Sequence, residues 1–366
     1  MTQTTCRAAV LEAPRRLEIR EFPLPETRED DGILKVEACG LCGSDHEQYT
    51  GALPARMPVI PGHETVGIIE EIGPLASKRW GVKAGDRVAV VTNQSCRECE
   101  NCRAGNTRYC PSHGIKDAYG FTPIAEAPSL WGGYAEYQYL APDTLVYKIP
   151  DSLTPAVATL FNPVGAGIRW GKTLPNTAPG DVVAVMGPGI RGLAVAAAAR
   201  EAGAGFVMIT GVGPRDSDRL ELAMAEFGAD LAIDITESDP VAALRKAAGG
   251  LADVVVDVTA RAPAALAGSI ALSKIGGKIV VAGTRGSTDA PGFMPDMIVY
   301  KELTILGAFG VDGRDFEEAL ELLGSNKYPF AVLPRRCASL DEAPALLESM
   351  AGESDEPPPV HGVITP

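Results

Sequence analysis

The spacing of hydrophobic and polar positions divides the chain into two regions. Up to about residue 160, short β-branched runs such as ILKVEA, TVGIIEEI and DRVAVV alternate with turns rich in Gly and Pro, which is typical of an all-β region. Beyond it, apolar runs alternate with helix-forming segments, which predicts βαβ units, a parallel sheet and hence an α/β fold. The predicted strands are 181–186, 206–210, 253–258, 278–283 and 303–309, with helices at 190–202 and 217–227.

Composition and charge restrict the class of protein. A chain of 366 residues favours about two domains. Its net charge is −14, whereas proteins that bind nucleic acids or membrane surfaces usually carry basic patches, so we expect neither kind of partner. The sequence shows neither an apolar run long enough to cross a bilayer nor a secretory leader pattern. These features predict a cytoplasmic protein.

The second region opens with a glycine-rich loop, VVAVMGPGIRGLAV. Gly187, Gly189 and Gly192 form the pattern G-x-G-x-x-G between a predicted strand and a predicted helix. The first glycine permits a tight turn, the second lets a pyrophosphate approach the backbone, and the third lets the helix pack on the strand. The helix N-terminus, which carries Ile190 and Arg191, then faces the negative charge. In this context the loop predicts dinucleotide binding.

The nature of the dinucleotide depends on the end of the next strand. NAD-binding sites usually carry Asp or Glu about 20 positions after the glycines, where it binds the adenosine ribose. This chain has Gly211 there, with Arg215 and Arg219 nearby. Without a carboxylate to repel a 2′-phosphate, NADP is admissible and is slightly favoured over NAD. The alternative is that both arginines are solvated residues of a loop and a helix.

Four of the eight cysteines fall in one short segment, CRECENCRAGNTRYC. Cys96, Cys99, Cys102 and Cys110 have the spacing C-x2-C-x2-C-x7-C, which indicates metal binding rather than disulfides. Four thiolates on one loop close a tetrahedral shell around zinc, so this is expected to be a structural site without chemistry of its own. On ligand type alone, an iron–sulfur or rubredoxin-like centre is the alternative.

A second group of candidate ligands lies earlier in the chain. One thiolate, one imidazole and one carboxylate form a mixed donor set that suits zinc with an open coordination position. Taken singly, a lone cysteine is usually a core residue, and the alternative for His63 is a loop histidine whose hydrogen bonds are satisfied. The segments CGLCGSDHEQY and PGHETVG supply Cys42, Ser44, Asp45, His46, His63 and Glu64.

These motifs, together with GVKAGDRVAV, GGYAEY and KELTILGAFG, occur in an order that resembles the zinc-dependent medium-chain alcohol and polyol dehydrogenase family over essentially the whole chain. The resemblance implies a GroES-like β-barrel catalytic domain and a Rossmann domain with a doubly wound parallel sheet. We expect the catalytic domain at 1–161, with a zinc lobe at about 95–111, and the Rossmann domain at 162–305. Residues 306–366 then return to the catalytic domain.

The resemblance also implies roles for individual residues. Cys42 and His63 correspond to ligands of a catalytic zinc, and Glu64 to an acidic residue that binds the metal or exchanges with water. Asp45 corresponds to a carboxylate that orients the imidazole of His63, and Ser44 to the hydroxyl that takes the proton of the substrate.

Two positions depart from the family pattern. His46 lies one residue earlier than the relay histidine of many members, so it is either a relay residue or a surface histidine. Asn162 stands where members carry Cys, Glu or Asp as a third zinc ligand, and an amide is a weaker donor. Three outcomes are open: Asn162 ligates weakly, Glu64 and water complete the shell, or the zinc is loosely held. We favour Cys42, His63 and Glu64 with water.

The implied function is hydride transfer between an alcohol or polyol, or the matching ketone or aldehyde, and a nicotinamide cofactor, with two zinc ions per chain. The Ser44 motif and Pro163 favour the polyol and sugar branch, and relatives of this kind are usually dimers or tetramers. The aromatic residues Tyr119, Phe121 and Trp131 either line a substrate pocket or pack the barrel.

Two other functions are kept as alternatives. A zinc-poor enone or quinone reductase of the same superfamily is one, although such proteins lack the cysteine lobe. A catalytically silent, zinc-stapled binding protein is the other, with Asn162 as the inactivating change.

Overall fold

A computed structural model describes residues 4–54 and 56–366, apart from the side chain of Lys116. β-strands and helices follow one another along these residues. The strands are β1 Thr5–Ala13, β2 Arg16–Pro23, β3 Gly32–Gly40, β4 Glu64–Ile72, β5 Arg87–Val90, β6 Tyr137–Leu140, β7 Val146–Lys148, β8 Val182–Met186, β9 Phe206–Gly211, β10 Leu231–Asp234, β11 Ala252–Asp257, β12 Ser273–Val281, β13 Thr304–Gly307, β14 Arg335–Ala338 and β15 His361–Ile364. The α-helices are α1 Gly43–Thr50, α2 Pro74–Trp80, α3 Glu100–Arg103, α4 Pro155–Ala158, α5 Phe161–Ile168, α6 Ile190–Glu201, α7 Gly213–Glu226, α8 Pro240–Ala248, α9 Ala265–Leu272, α10 Asp296–Tyr300, α11 Gly313–Gly324 and α12 Ala343–Met350.

The chain divides into two units. The first contains residues up to 162, 312–326 and 330–366, and the second contains 163–311 and 327–329. The first boundary therefore lies one residue from the expected 161/162. The expected second boundary at 305/306 is wrong, because it falls inside β13, which belongs to the parallel sheet of the second unit. Among the helices of the described residues, none is long and apolar enough to cross a membrane.

The first unit is built on a seven-stranded sheet. Its order is β14-β15-β3-β4-β5-β7, with β6 pairing on β3, and the pairs are antiparallel apart from β14 with β15. Strands β1 and β2 form a separate hairpin. Buried aliphatic side chains such as Leu34, Ile69, Val88 and Leu140 form one of its cores. β3 and β4 pair along their whole length, and this pairing positions the candidate ligands.

The second unit contains a six-stranded parallel sheet with the order β10-β9-β8-β11-β12-β13. Counted within this unit, the strands run 3-2-1-4-5-6, which is the order of a Rossmann sheet. The predicted doubly wound α/β architecture is confirmed. The order reverses between β8 and β11, so the carboxyl ends of these two strands form the place where such sheets bind their ligands.

The bounds of several elements differ from the predicted ones: β12 begins at Ser273 and not at 278, β13 ends at Gly307 and not at 309, and α7 begins early. Helix α7 begins at Gly213, four residues before the expected start at 217, because Pro214 suits a first helical turn and Asp216 accepts a hydrogen bond from the N–H of Val212. Strand β10 was not predicted, since its four residues give too short an apolar run to be distinguished from a loop.

Candidate functional site

The register of β3 and β4 brings the first group of candidate ligands together. Gly40, the last residue of β3, lies opposite Glu64, the first residue of β4, so the segments that follow and precede them lie side by side. The sulfur of Cys42, a ring nitrogen of His63 and a carboxylate oxygen of Glu64 lie within 4.8 Å of one another. His63 and Glu64 are buried, and Cys42 is partly buried. The predicted clustering of these three residues is therefore seen in the structure.

The N-terminus of α1 fixes the sulfur of Cys42. Cys42 is the N-cap residue: its sulfur accepts hydrogen bonds from the backbone N–H of Ser44 at 3.4 Å and from the Ser44 hydroxyl at 3.0 Å. In return, the Asp45 carboxylate accepts the backbone N–H of Cys42 at 2.8 Å. This capping box positions all three side chains at one helix end, where N–H groups favour a thiolate.

Asp45 also faces the imidazole of His63. Its Oδ1 lies 3.3 Å from Nδ1, at ion-pair distance, although neither atom has a hydrogen bond of good geometry. Burial disfavours a charged imidazole, but Asp45 and Cys42 outweigh it and raise the pKa of His63 well above its ordinary value. The pocket thus has negative groups that favour a cation. Because Nδ1 faces Asp45, Nε2 is the nitrogen left for a metal, and the donor set fits zinc.

Close packing leaves little freedom to Glu64. A Cβ atom at Gly40 would lie 2.6 Å from Oε2 of Glu64 and 3.2 Å from Cβ of Thr159, so only glycine fits between them. Asn162 is buried at the second position of α5. Its role as a weak third ligand, and the alternative shell of Cys42, His63, Glu64 and water, both stay predictions.

His46 is not the surface histidine that one interpretation expected. Only 5 % of the residue is exposed, and its Nε2 lies 3.0 Å from Oε1 of Glu353. Glu353 also binds the guanidinium of Arg15 at 3.0 Å. Because Glu353 follows α12, His46 connects α1 with the C-terminal part of the unit. Its part in a proton relay stays a prediction.

The three aromatic candidates have different positions. Tyr119 packs in the barrel, where its hydroxyl contacts that of Thr144 and burial raises its pKa to about 12. Trp131 makes an edge contact with Tyr139, at a ring distance of 5.1 Å. Only Phe121 contacts a candidate ligand, since its ring centroid lies 5.7 Å from that of His63. Phe121 is therefore the aromatic side chain best placed to contact a substrate.

The four cysteines of the lobe are also brought together. The ligand atoms of Cys96, Cys99, Cys102 and Cys110 all lie within 4.8 Å of one another, and the sulfurs of Cys96 and Cys102 are 3.9 Å apart. A tetrahedron with Zn–S bonds of about 2.3 Å has edges of roughly 3.8 Å, so the spacing fits zinc.

Local hydrogen bonds prepare the lobe for a cation. Backbone N–H groups of Cys99 and Glu98 lower the pKa of Cys96 to about 6, whereas burial raises that of Cys102 to about 12. A bound divalent cation offsets that burial cost, because it stabilises every thiolate around it. Arg97 attaches the lobe to the barrel, since its guanidinium donates to the carbonyl oxygens of Ser95 and Thr144.

In the second unit, the glycine loop has the geometry that its sequence predicts. Gly187 has φ +100°, and a Cβ atom at Gly192 would lie 1.8 Å from its carbonyl oxygen. Gly189 is the N-cap of α6, has no side-chain cap, and has open space where a Cβ atom would be. The first N–H groups of α6, from Ile190 onward, are therefore available to an anion. Arg191 lies over the ring of Trp170 at 5.9 Å.

Asp216, a residue that the sequence analysis missed, lies beside Gly211 at the predicted ribose site. Its carboxylate is buried and lies 3.0 Å from the guanidinium of Arg215 and 3.6 Å from that of Arg219. Its Cβ lies 3.0 Å from the position of a Cβ atom at Gly211. The expectation of two solvated arginines is wrong for Arg219, whose side chain is 18 % exposed, while that of Arg215 is 64 % exposed. A carboxylate five residues after the strand end was the available signal.

Two family descriptions match the chain. Residues 28–151 match the alcohol dehydrogenase GroES-like domain, and residues 192–325 match the zinc-binding dehydrogenase domain. The first match lies within the first unit, whereas the second covers most of the parallel-sheet unit and ends in residues 312–325, which belong to the first unit.

Individual proteins are similar over almost the full length. A Mycobacterium tuberculosis protein named "Probable alcohol dehydrogenase adh" is 64% identical over 361 residues, covering 98% of each chain. Sorbitol dehydrogenase of Bacillus subtilis is 32% identical, covering 87% of this chain and 86% of its own. A Sinorhizobium meliloti protein, described as a zinc-binding dehydrogenase bound to NADP, superimposes with a TM-score of 0.84 at 29% identity and covers 100% of both chains.

Proposed function

The chain belongs to the zinc-dependent medium-chain alcohol dehydrogenase family, and we propose that it interconverts an alcohol or polyol and the matching ketone or aldehyde with NADP as the hydride carrier. The observation that carries the proposal is the cluster of Cys42, His63 and Glu64 beside the Ser44 hydroxyl. The sorbitol dehydrogenase of B. subtilis supports polyols as one substrate class.

The residues of the cluster have separate tasks. Cys42, His63 and Glu64 would hold a zinc ion, which when bound supplies a Lewis acid that polarises the oxygen of the substrate. Asp45 holds the imidazole of His63 in one orientation. Ser44 donates its hydrogen to the sulfur of Cys42, so its oxygen lone pairs remain free to accept a hydrogen bond from a substrate hydroxyl.

A second zinc ion is proposed for the four-cysteine lobe, where it would be structural. The expected metal content is two equivalents per chain, measured by elemental analysis of the purified protein. Cys42→Ser should leave about one equivalent, and Cys110→Ser should lose the other. A fully active protein with a single equivalent would contradict the two-zinc proposal.

NADP is supported by the charge around the end of β9. Gly211 offers no carboxylate, and Asp216 is buried under its two arginines. The exposed guanidinium of Arg215 leaves donors for a 2′-phosphate, as Arg does for phosphates in general. The S. meliloti protein bound to NADP supports the same choice. Arg215→Gln should raise the Kd for NADPH and leave that for NADH unchanged, whereas equal effects on both would contradict NADP recognition.

One experiment separates the proposed function from its alternatives. The zinc-loaded protein is given NADP and, separately, NAD with a panel of simple alcohols and polyols, and nicotinamide absorbance is followed. Turnover that Cys42→Ser abolishes, while NADPH binding persists, supports the proposal. A silent binding protein would bind the dinucleotide without turnover, and a zinc-poor reductase would keep its activity in Cys42→Ser.

A homo-oligomer is proposed from one of the two edges of the parallel sheet, the one formed by β13. β13 pairs with β12 alone among the described strands, so it presents an edge to solvent. Large apolar side chains are exposed around it, namely Ile275, Met294, Val299, Tyr300, Ile305 and Phe309. A second copy that adds its own β13 would cover both features. Ile305→Lys should shift the mass in sedimentation from oligomer towards monomer, and an unchanged mass would exclude this edge.

A further inference from the structure

A buried ion pair links the two loops at the carboxyl edge of the parallel sheet. Asp257, the last residue of β11, is completely buried and accepts the guanidinium of Arg285, which follows β12. The same guanidinium donates to the carbonyl oxygens of Thr259 and Gly283, so it binds one carboxylate and the backbone of both loops. Removal of either partner would leave buried polar groups without hydrogen bonds, which costs free energy, so the pair fixes the positions of the two loops.

Thr259 extends this arrangement to the glycine loop. Its backbone N–H and its hydroxyl both donate to Oδ1 of Asp257, at 3.0 Å and 2.6 Å. Its methyl carbon lies 3.2 Å from the position of a Cβ atom at Gly187, the first glycine of the loop. A Cβ atom at Gly283 would lie 1.8 Å from the carbonyl oxygen of Thr259, so the loops are in direct contact. The carboxylate of Asp257 therefore holds the residue against which the glycine loop packs.

The direction of a bound dinucleotide follows from the strand order. The pyrophosphate would lie at the N-terminus of α6, after β8, and the adenosine ribose at the end of β9, on one side of β8. β11 lies on the other side of β8. The nicotinamide half must therefore extend over the ends of β11 and β12, where Asp257, Thr259 and Arg285 hold the two loops.

From this geometry we infer that Arg285 and Asp257 are positioning residues for the nicotinamide half of the cofactor. They act through the backbone of Thr259 and Gly283, which they hold at the edge of the sheet. The inference rests on the proposed function, since it requires a nicotinamide dinucleotide in this unit. It predicts that loss of the pair weakens binding of the whole dinucleotide while leaving its adenosine half unaffected.

The experiment compares two ligands on the full-length, zinc-loaded protein. Kd is measured by fluorescence for NADPH and by calorimetry for 2′,5′-ADP, which contains only the adenosine half. Arg285→Gln should weaken NADPH at least about tenfold, as loss of a buried charged hydrogen bond does, with 2′,5′-ADP unchanged. Arg285→Lys keeps the positive charge but loses the planar set of N–H donors of the guanidinium. It should therefore recover part of the NADPH affinity.

The matched control lies at the opposite edge of the same sheet. Arg200 also pairs with a carboxylate, that of Asp230, and also donates to two carbonyl oxygens, those of Gly228 and Ala204. Because Asp230 is 38 % exposed, Arg200→Gln should lower the thermal midpoint less than Arg285→Gln does, and it should leave both Kd values unchanged. If Arg285→Gln does not fold, Thr259→Val removes the hydroxyl donor to Asp257 with little change of shape and should weaken NADPH selectively.

The outcomes separate the two proposals. If the unmodified protein binds NADPH and Arg285→Gln binds it equally well, the positioning role is wrong and the proposed function stands. Equal loss of NADPH and 2′,5′-ADP in the variant also overturns the positioning role, because it indicates general disruption of the unit. If the unmodified protein binds neither NADPH nor NADH, the proposed function itself fails.

Discussion

Arg108 and Asp312 form a buried ion pair, with side chains that are 6 % and 11 % exposed. Arg108 belongs to the cysteine lobe and Asp312 is the first residue of the first unit after the parallel sheet, so the pair connects segments about two hundred residues apart. The guanidinium also stacks on Tyr109, at 4.1 Å. The lobe is thereby joined to the start of α11.

Breaking this pair is expected to destabilise the protein strongly. Arg108→Met leaves the carboxylate of Asp312 buried, and removal of one partner of a buried pair costs about 3–5 kcal/mol. Arg7→Met breaks the exposed pair with Asp341, whose side chains are 44 % and 60 % exposed, and should lower the free energy of unfolding far less than Arg108→Met does. Urea unfolding of both variants measures the difference. If both variants lose the same free energy of unfolding, the buried pair of Arg108 contributes no more to stability than the exposed pair of Arg7.

Gly40→Ala should disturb the zinc cluster. The new methyl group would lie 2.6 Å from Oε2 of Glu64, so the carboxylate must move. We expect zinc affinity at this site to fall roughly tenfold, measured by competition with a chelator. Gly43→Ala is the matched control, since its methyl group meets nothing within 4 Å and should leave zinc affinity unchanged. Unchanged zinc affinity in Gly40→Ala would exclude Glu64 as a ligand.

Asp45→Asn tests the orientation of His63. The variant keeps the size of the side chain but loses the negative charge that faces Nδ1. Zinc affinity should fall by about 10–100-fold, as it does when the partner of a ligating histidine is changed. Asp31→Asn removes another buried carboxylate of the same unit, one that accepts the hydroxyl of Tyr139, and serves as the control. A larger loss of affinity in the control would contradict the role of Asp45.

The two later glycines of the loop should differ in their effects. Gly189→Ala places its methyl group in open space, so the fold should be kept while NADPH binding weakens, since that space is where the pyrophosphate approaches. Gly192→Ala collides with the carbonyl oxygen of Gly187 and should lower both stability and binding. Thermal unfolding and NADPH fluorescence separate the two. Full NADPH affinity in Gly189→Ala would place the pyrophosphate elsewhere.

His361 should make the stability of the protein depend on pH. Its Nδ1 accepts from Arg335 at 2.9 Å and its Nε2 lies 3.2 Å from the Thr159 hydroxyl. Burial, and then the charge of Arg335, lower its pKa from 6.5 to about 3. Below pH 6.5 the unfolded chain binds a proton that the folded chain does not. The free energy of unfolding therefore falls as pH falls from 6.5 towards 3, and is not affected by this group above 6.5.

The contribution of His361 is about 1.4 kcal/mol for each pH unit within that window. Urea unfolding at a series of pH values measures it, and His361→Gln should show a shallower dependence than the unmodified protein. A steeper dependence in the variant would contradict the assignment to His361.

Local patterns predicted the elements that depend on near neighbours in the chain. The glycine loop, its flanking strand and helix, and the four-cysteine lobe all lie within short segments, and the structure forms each of them. The pairing of His46 with Glu353 was not predictable, because the two residues are 307 positions apart. The same holds for Arg285 with Asp257, since no local pattern indicates which carboxylate a buried arginine meets.

The pairing of β3 with β4 contains two irregularities, one between Ile33 and Leu34 and one between Val36 and Ala38. A slip of one residue would turn every side chain of a strand to the opposite face of the sheet, and would carry Glu64 away from Cys42. On the proposal that this cluster binds zinc, its uptake of zinc would report correct strand alignment. During refolding, the time at which zinc uptake appears would then mark the pairing of β3 with β4.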